Sequence, residues 1–160
     1  MRVGIGFDVH QLVEGRPLII GGVTLPFHLG LEGHSDADVL LHALMDALLG
    51  AASLGDIGGH FPDTDPGYKG ISSVCLLEVV MEKIWALGFQ VNNIDGVIIA
   101  EKPKLLPHLN AMVELIARVL SISPESVNLK ATTMEKLGPI GRGEGIAAQV
   151  VVSLKVEGRR

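Results

Sequence analysis

From Ile146 to Val156 the chain alternates with a period of two: Ile146, Ala148, Val150, Val152, Leu154 and Val156 against Ala147, Gln149, Val151, Ser153 and Lys155. That repeat is the side-chain period of an extended strand, and one face of this strand is wholly apolar. The other face is substantially apolar too. A sheet built around such a strand must cover one face with its own helices and needs cover for the other, for which sister subunits are the natural candidate.

The rest of the chain supplies partners. Arg2 to Leu12, Val91 to Ala100 and Val127 to Thr132 read as strands, and Leu18-Ile19-Ile20, Gly21-Gly22, Val23-Thr24-Leu25 reads as a hairpin whose paired glycines provide the positive φ of a tight turn. Ser35, Asp36 and Asp38 offer capping groups to an amphipathic helix in which Leu40, Leu44, Ala47, Leu48 and Ala51 keep helical spacing as far as Gly55. A second helix spans Ser72 to Leu87 and stops at Gly88. In a third, running to Leu120, Pro107 suits the first turn and Val113, Ile116, Ala117 and Leu120 share a face. Helices and strands interleave without strict alternation. The expected class is therefore α+β: a two-layer sandwich of a mixed sheet with helices on one face, in a single domain over residues 1–160 without a linker. With 48% hydrophobic but only 4% aromatic residues, the core must be aliphatic.

Several function classes are disfavoured. The most apolar stretch, Val39 to Leu54, is broken by His42 and Asp46 and is too short for a bilayer. The opening Met1-Arg2-Val3-Gly4 reaches Asp8 too soon for a signal peptide, so a cytoplasmic protein is expected. Cys75 is the only cysteine, and its neighbours Val74, Leu76 and Leu77 predict a buried, inert thiol. A net charge of −5 and the lack of basic runs interleaved with aromatics argue against nucleic acid. An anionic substrate would need local positive charge, which a metal ion can supply.

Asp8 and His10 project to the same side of the first strand, and His42 lies on the first long helix. One oxygen and two nitrogen ligands suit zinc and leave a fourth position open, the pattern of a catalytic rather than structural site. An Asp-x-His pair alone is commonplace, so the remaining segments matter. His34 and Ser35 precede that helix, where they either cap it or help its free N–H groups hold a phosphate. Asp46, one turn past His42, orients an imidazole or faces solvent. Between Gly55 and Gly70, Asp56-Ile57-Gly58 and Phe61-Pro62-Asp63-Thr64-Asp65-Pro66 make either plain turns or, with an exposed Phe61, a lid over a polyhydroxylated substrate. Lys102-Pro103-Lys104 follows a strand and can meet phosphate or nucleobase, or be ordinary surface. Thr132-Thr133-Met134-Glu135 offers hydroxyls for phosphate oxygens and a carboxylate for a hard ion. Gly138 to Gly145 is glycine-rich, fits neither a P-loop nor a dinucleotide fingerprint, and reads as a hairpin turn.

Taken in order, Gly6-Phe7-Asp8-Val9-His10, Ile20-Gly21-Gly22, His34-Ser35-Asp36, Leu41-His42-Ala43, Gly55-Asp56-Ile57-Gly58, Phe61-Pro62-Asp63-Thr64-Asp65-Pro66, Lys130-Ala131-Thr132-Thr133 and Gly141-Arg142-Gly143-Glu144-Gly145 resemble the 2-C-methyl-D-erythritol 2,4-cyclodiphosphate synthases of the non-mevalonate isoprenoid pathway. The resemblance implies a homotrimer with active sites between subunits. It implies a cyclising phosphorus–oxygen lyase in which the 2-phosphate of 4-diphosphocytidyl-2-C-methyl-D-erythritol 2-phosphate attacks the β-phosphorus and releases CMP. Asp8, His10 and His42 would bind zinc or another divalent ion. Glu135 would bind a second ion, magnesium or manganese, together with the substrate phosphates. His34 and Thr133 match positions that stabilise the transition state, with Ser35 beside the phosphate and Val9 and Met134 within the contacting segments. Asp56, Ile57 and Gly58 with Phe61, Pro62, Asp63, Thr64 and Asp65 would hold the methylerythritol part. Ala100, Glu101, Lys102, Pro103, Lys104, Leu105, Leu106 and Thr132 of a neighbour would take the cytidine end. Pro139 and Arg142 match further phosphate contacts, and Arg142 and Glu144 would border a threefold cavity suited to an isoprenoid diphosphate. Two departures stand out: Ala37 replaces a frequent Gly, and Pro139-Ile140 replaces a Phe-Thr pair.

Two other readings use the same residues. A zinc phosphodiesterase or phosphatase would activate water and give linear products. A non-catalytic trimeric nucleotide-binding protein would use the metal for assembly alone and leave His34 unexplained.

Overall fold

The computed structural model describes residues 1–156, so the last four residues of the expected domain lie outside it. Strand β1 spans Arg2–Val13 and β2 (Leu18–Ile20) pairs with β3 (Val23–Leu25) as a separate ribbon whose turn places Gly21 and Gly22 at φ 60° and 75°. After β4 (Gly30–Leu31) come α1 (Val39–Ala52), the short α2 (Ile57–His60), α3 (Ser73–Ala86) and β5 (Phe89–Ile99). Then follow α4 (Leu109–Leu120), β6 (Val127–Thr132), the short α5 (Gly138–Gly141) and β7 (Gly145–Val156). Five strands form one sheet in the order β4-β1-β7-β5-β6, antiparallel except for the parallel pair β5–β6. The mixed sheet with helices packed on it is the α+β architecture the sequence pattern predicts.

The position of α1 depends on two glycines. Gly4 and Gly6 face inward on β1, where a Cβ would sit 2.0 Å from the Ala47 carbonyl oxygen and 1.9 Å from that of Ala43. The helix therefore lies backbone to backbone on the strand, with Ala43, Ala47 and Ala51 as its contact face. α1 also packs on β7 and α3, which leaves it buried almost all round rather than amphipathic. It ends at Ala52, short of Gly55, because Ser53 takes a left-handed conformation and the Arg2 guanidinium occupies the Ala51 carbonyl at 2.6 Å.

Two further expectations are corrected. Cys75 is exposed, because α3 buries Leu76, Leu77, Val80, Met81 and Ile84 and the thiol lies off that stripe. Gly138 to Gly141 forms a helical turn rather than a hairpin, since Pro139 at its start pre-sets a helical φ. The third helix is preceded by a 3-10 turn over Leu106–His108 that holds Pro107.

Away from the helices the sheet stays open. Val3, Ile5, Phe7 and Val9 on β1 are 51–65% exposed, and Val151 of β7 lies opposite Ile5 on the same face. At the end of the sheet that carries His10, Val9, Ala147, Ile99 and Thr132 lie in one row across β1, β7, β5 and β6. Three strand spacings separate the ends of that row, about 14 Å.

Candidate functional site

The backbone contact of α1 with β1 brings His42 over Asp8 and His10. Asp8 Oδ2 lies 2.8 Å from His10 Nε2 and 3.0 Å from His42 Nδ1, and the two ring nitrogens are 3.1 Å apart. Among the described residues this is the one cluster of three or more side chains able to hold a metal ion. Burial alone would raise the Asp8 carboxyl's pKa, but hydrogen bonds from both imidazoles hold it well below the usual carboxylate range. Burial also opposes charge on His10, and the Asp8 carboxylate outweighs it and raises the imidazole's pKa.

These donors fit a small divalent cation. A tetrahedral ion with bonds of about 2.0–2.1 Å needs donors about 3.3 Å apart, a few tenths of an ångström wider than the separations here. The far ring nitrogens are already engaged. His10 Nδ1 donates to the Glu32 carbonyl at 2.6 Å, so an ion would replace the proton that Nε2 gives Asp8 and meet the Nε2 lone pair. His42 Nε2 lies 3.1 Å from the hydroxyls of Ser35 and Ser73. Both histidines open on a cavity of about 560 Å³.

That cavity gathers much of what the motifs suggested. Its lining includes His34, Ser35, Ile57, Gly58, Phe61, Pro62, Asp63 and Thr64. The Gly55–Gly70 segment is anchored rather than loose: His34 Nε2 donates to the Asp65 carbonyl at 3.0 Å, and Gly70 donates to the His34 carbonyl at 2.8 Å. Asp56 caps α2 through the Gly59 N–H, and the Asp65 carboxylate accepts from Gly67. Phe61 is half-buried against Tyr68 rather than exposed. Asp46 orients no imidazole; its Oδ1 accepts the Ile57 N–H at 2.8 Å and so holds α2 against α1.

A second cluster forms where β5 and β6 end together. Ala100 donates to the Thr132 carbonyl at 3.0 Å, Met134 donates to Glu101 at 3.3 Å, and the Thr133 hydroxyl donates to Glu135 at 3.2 Å. Lys102, Lys104 and Leu106 are exposed, whereas Ala100 and Leu105 send their side chains into the core and offer a ligand main chain only. The Lys102–Pro103 peptide is cis. None of these residues lines the His42 cavity, which agrees with the strand spacing between β1 and β6. Val9 points to the opposite face from Asp8 and borders a groove with Pro139 and Glu144, and Arg142 pairs with Glu144 at 2.7 Å.

Three contributors were not legible as site residues. Arg16 holds the Gly33 and Ser35 carbonyls at 2.7 and 2.6 Å. The Glu32 carbonyl and the Ser73 hydroxyl carry no chemical signature in a sequence; the one signal was Ser73's place at the start of a predicted helix.

Comparison with known proteins agrees with this geometry. Residues 1–155 match the model of the YgbB family. The chain is 61% identical over 155 residues to the 2-C-methyl-D-erythritol 2,4-cyclodiphosphate synthase of Desulforamulus reducens, covering 97% of this chain and 99% of that one. Among solved structures it resembles the bifunctional IspDF from Campylobacter jejuni (48% identity, TM-score 0.93), covering 97% of this chain and 42% of that one. It also resembles a 2C-methyl-D-erythritol-2,4-cyclodiphosphate synthase in a CDP-bound form (39% identity, TM-score 0.88), covering 96% of this chain and all of that one. With its aspartate–histidine triad, its cavity and a match along nearly its whole length, the chain belongs to the YgbB family of 2-C-methyl-D-erythritol 2,4-cyclodiphosphate synthases.

Proposed function

We infer that this protein converts 4-diphosphocytidyl-2-C-methyl-D-erythritol 2-phosphate to 2-C-methyl-D-erythritol 2,4-cyclodiphosphate and CMP, as a cytoplasmic cyclising phosphorus–oxygen lyase of isoprenoid precursor synthesis. The observation that carries this reading is the convergence of Asp8, His10 and His42 on one point beside a cavity lined by His34, Ser35 and the Ile57–Thr64 segment. The 2-phosphate oxygen forms the new bond to the β-phosphorus as the bond to CMP breaks, so no protein nucleophile is required. The chain's task is to fold a flexible polyanion so that its two phosphates meet in line.

Asp8, His10 and His42 would hold zinc or another divalent ion, and Glu135 a second, magnesium or manganese, together with the phosphates. When bound, these ions supply Lewis-acid charge neutralisation for the phosphate oxygens. His34 and Thr133 stabilise the developing charge, and Ser35 lies beside the phosphate. Asp56 to Gly58 and Phe61 to Asp65 hold the methylerythritol hydroxyls, with Pro62 and Thr64 in the wall. Ala100 to Leu106, Thr132, Met134, Pro139 and Arg142 receive the nucleotide and further phosphate oxygens.

Because about 14 Å of sheet separates β1 from β6, the nucleotide-binding cluster acts on a neighbour's metal centre in a homotrimer whose contacts use the open apolar face. The same threefold axis offers Arg142 and Glu144 to an isoprenoid diphosphate. Phosphorus NMR tests the reaction: substrate with magnesium should give equimolar CMP and a cyclic diphosphate with two coupled signals. Linear products or inorganic phosphate would replace this reading with a water-activating phosphatase.

A further inference from the structure

Behind His42 lies a hydrogen-bonded chain that the proposed reaction does not use. Ser73, fully buried at the first position of α3, has its Oγ 2.5 Å from Asp36 Oδ1 and 3.1 Å from His42 Nε2. A hydroxyl has one proton, and an ionised carboxylate can only accept. The short contact therefore commits the Ser73 proton to Asp36, and the serine oxygen can meet His42 only as an acceptor. Nε2 must carry the imidazole proton. Nδ1 lies 3.0 Å from the Asp8 carboxylate, which accepts a proton from it; when a divalent ion takes that proton's place, the proton kept on Nε2 leaves the Nδ1 lone pair to the ion.

Asp36 is itself fixed. Its Oδ2 accepts the Ser73 N–H at 3.0 Å and its Oδ1 the Asp38 N–H at 3.2 Å, so its charge sits on the N-terminus of a fourteen-residue helix. Ser35 stands at the same 3.1 Å from Nε2, but its oxygen accepts the Ala37 N–H and its proton is not tied to a carboxylate, so either tautomer of His42 satisfies it.

We propose that Asp36 and Ser73 are a positioning pair for the metal centre, which selects the Nε2–H tautomer of His42 and presents Nδ1 as the ligand. The pair links α3 to an ion held by β1 and α1, and it rests on the reading of Asp8, His10 and His42 as metal ligands. Outer hydrogen bonds of this kind change metal affinity about 10- to 100-fold.

The test is zinc affinity measured against a competing chelator, joined to two-bond proton–nitrogen NMR of the histidine rings in the zinc-loaded protein. In the wild-type protein the spectrum should show His42 protonated on Nε2. Ser73→Ala should weaken zinc binding about 10- to 100-fold. Asp36→Asn, which keeps an acceptor but loses the charge, should fall between Ser73→Ala and wild type. Ser35→Ala should change affinity less than Ser73→Ala does. A His42 ring protonated on Nδ1 in the zinc form overturns the proposal, as does a Ser73→Ala affinity within twofold of wild type. If Ser73→Ala does not fold, the wild-type tautomer and Asp36→Asn still decide. A wild-type protein that binds no zinc overturns the metal reading as well, which separates that failure from failure of the pair alone.

Discussion

At the scale of single residues, His42 is both a buried core position and a candidate ligand, and the two roles can be separated. His42→Ala removes one donor from the triad while leaving the Ala43, Ala47 and Ala51 contact face intact. It should abolish stoichiometric zinc binding and most turnover, with circular dichroism unchanged; metal content equal to wild type would remove His42 from the site.

Asp38 makes a different demand. Its buried carboxylate accepts from the N–H groups of Gly21 at 2.9 Å, Gly22 at 2.6 Å and Leu41 at 3.0 Å, so one side chain caps α1 and pins the β2–β3 turn. Burial nevertheless pushes its pKa up to about 6, against the hydrogen bonds that favour the charged form. Between about pH 4 and pH 6 the folded protein thus holds a proton that the unfolded chain has released. The stability contributed by this group is complete below that window and is lost as pH rises through it. Denaturant titrations of wild type against Asp38→Asn should show the wild-type advantage shrinking from pH 4 to pH 6.5; an advantage that grew would reverse the sign.

At the scale of elements, the helix–strand seam is the feature most sensitive to a single atom. Gly6→Ala places a methyl group 1.9 Å from a main-chain oxygen, so α1 must shift or the strand must bend. Overpacking of this kind costs about 3 kcal/mol or more when a backbone atom cannot yield. Urea unfolding should show that loss, and the affinity of the Asp8–His10–His42 cluster for a divalent ion should weaken with it, because Asp8 and His10 continue the face of β1 that carries the seam. This is also where reading the sequence stopped short. Strand and helix spans, the hairpin glycines and the Gly88 stop followed from periodicity and turn chemistry, which are local. That Gly4 and Gly6 admit a helix backbone is a property of a contact between segments about forty residues apart, and nothing near them signals it. The triad was legible because period two and a third ligand on a helix are sequence patterns. The Ser73 hydroxyl and Glu32 carbonyl were not, because any serine and any peptide bond can supply such groups. Cys75 is exposed for a related reason: apolar neighbours in sequence are not neighbours in space on a helix.

At the scale of the whole molecule, the exposed apolar row on β1 and the split between the two residue clusters each make a prediction. If the proposed homotrimer forms through this face, Ile5→Asp should yield monomers by light scattering and abolish turnover while each monomer still folds. Mixing His42→Ala with Thr133→Ala subunits, each inactive alone, should restore roughly a quarter of wild-type activity if each site draws these residues from adjacent subunits at random. No recovery would place both residues in one chain's site.

The wide separation of Asp8 and His42 along the chain has an energetic meaning beyond chemistry. A polypeptide that has lost its tertiary structure cannot present the three donors together, so an ion that binds them binds only the native form. Free ion at a thousand times its dissociation constant would add about 4 kcal/mol to the unfolding free energy. With zinc as the proposed ion, the melting temperature should climb with the logarithm of free zinc and fall on chelation, so that the stability of the fold and the supply of its metal would be one linked quantity.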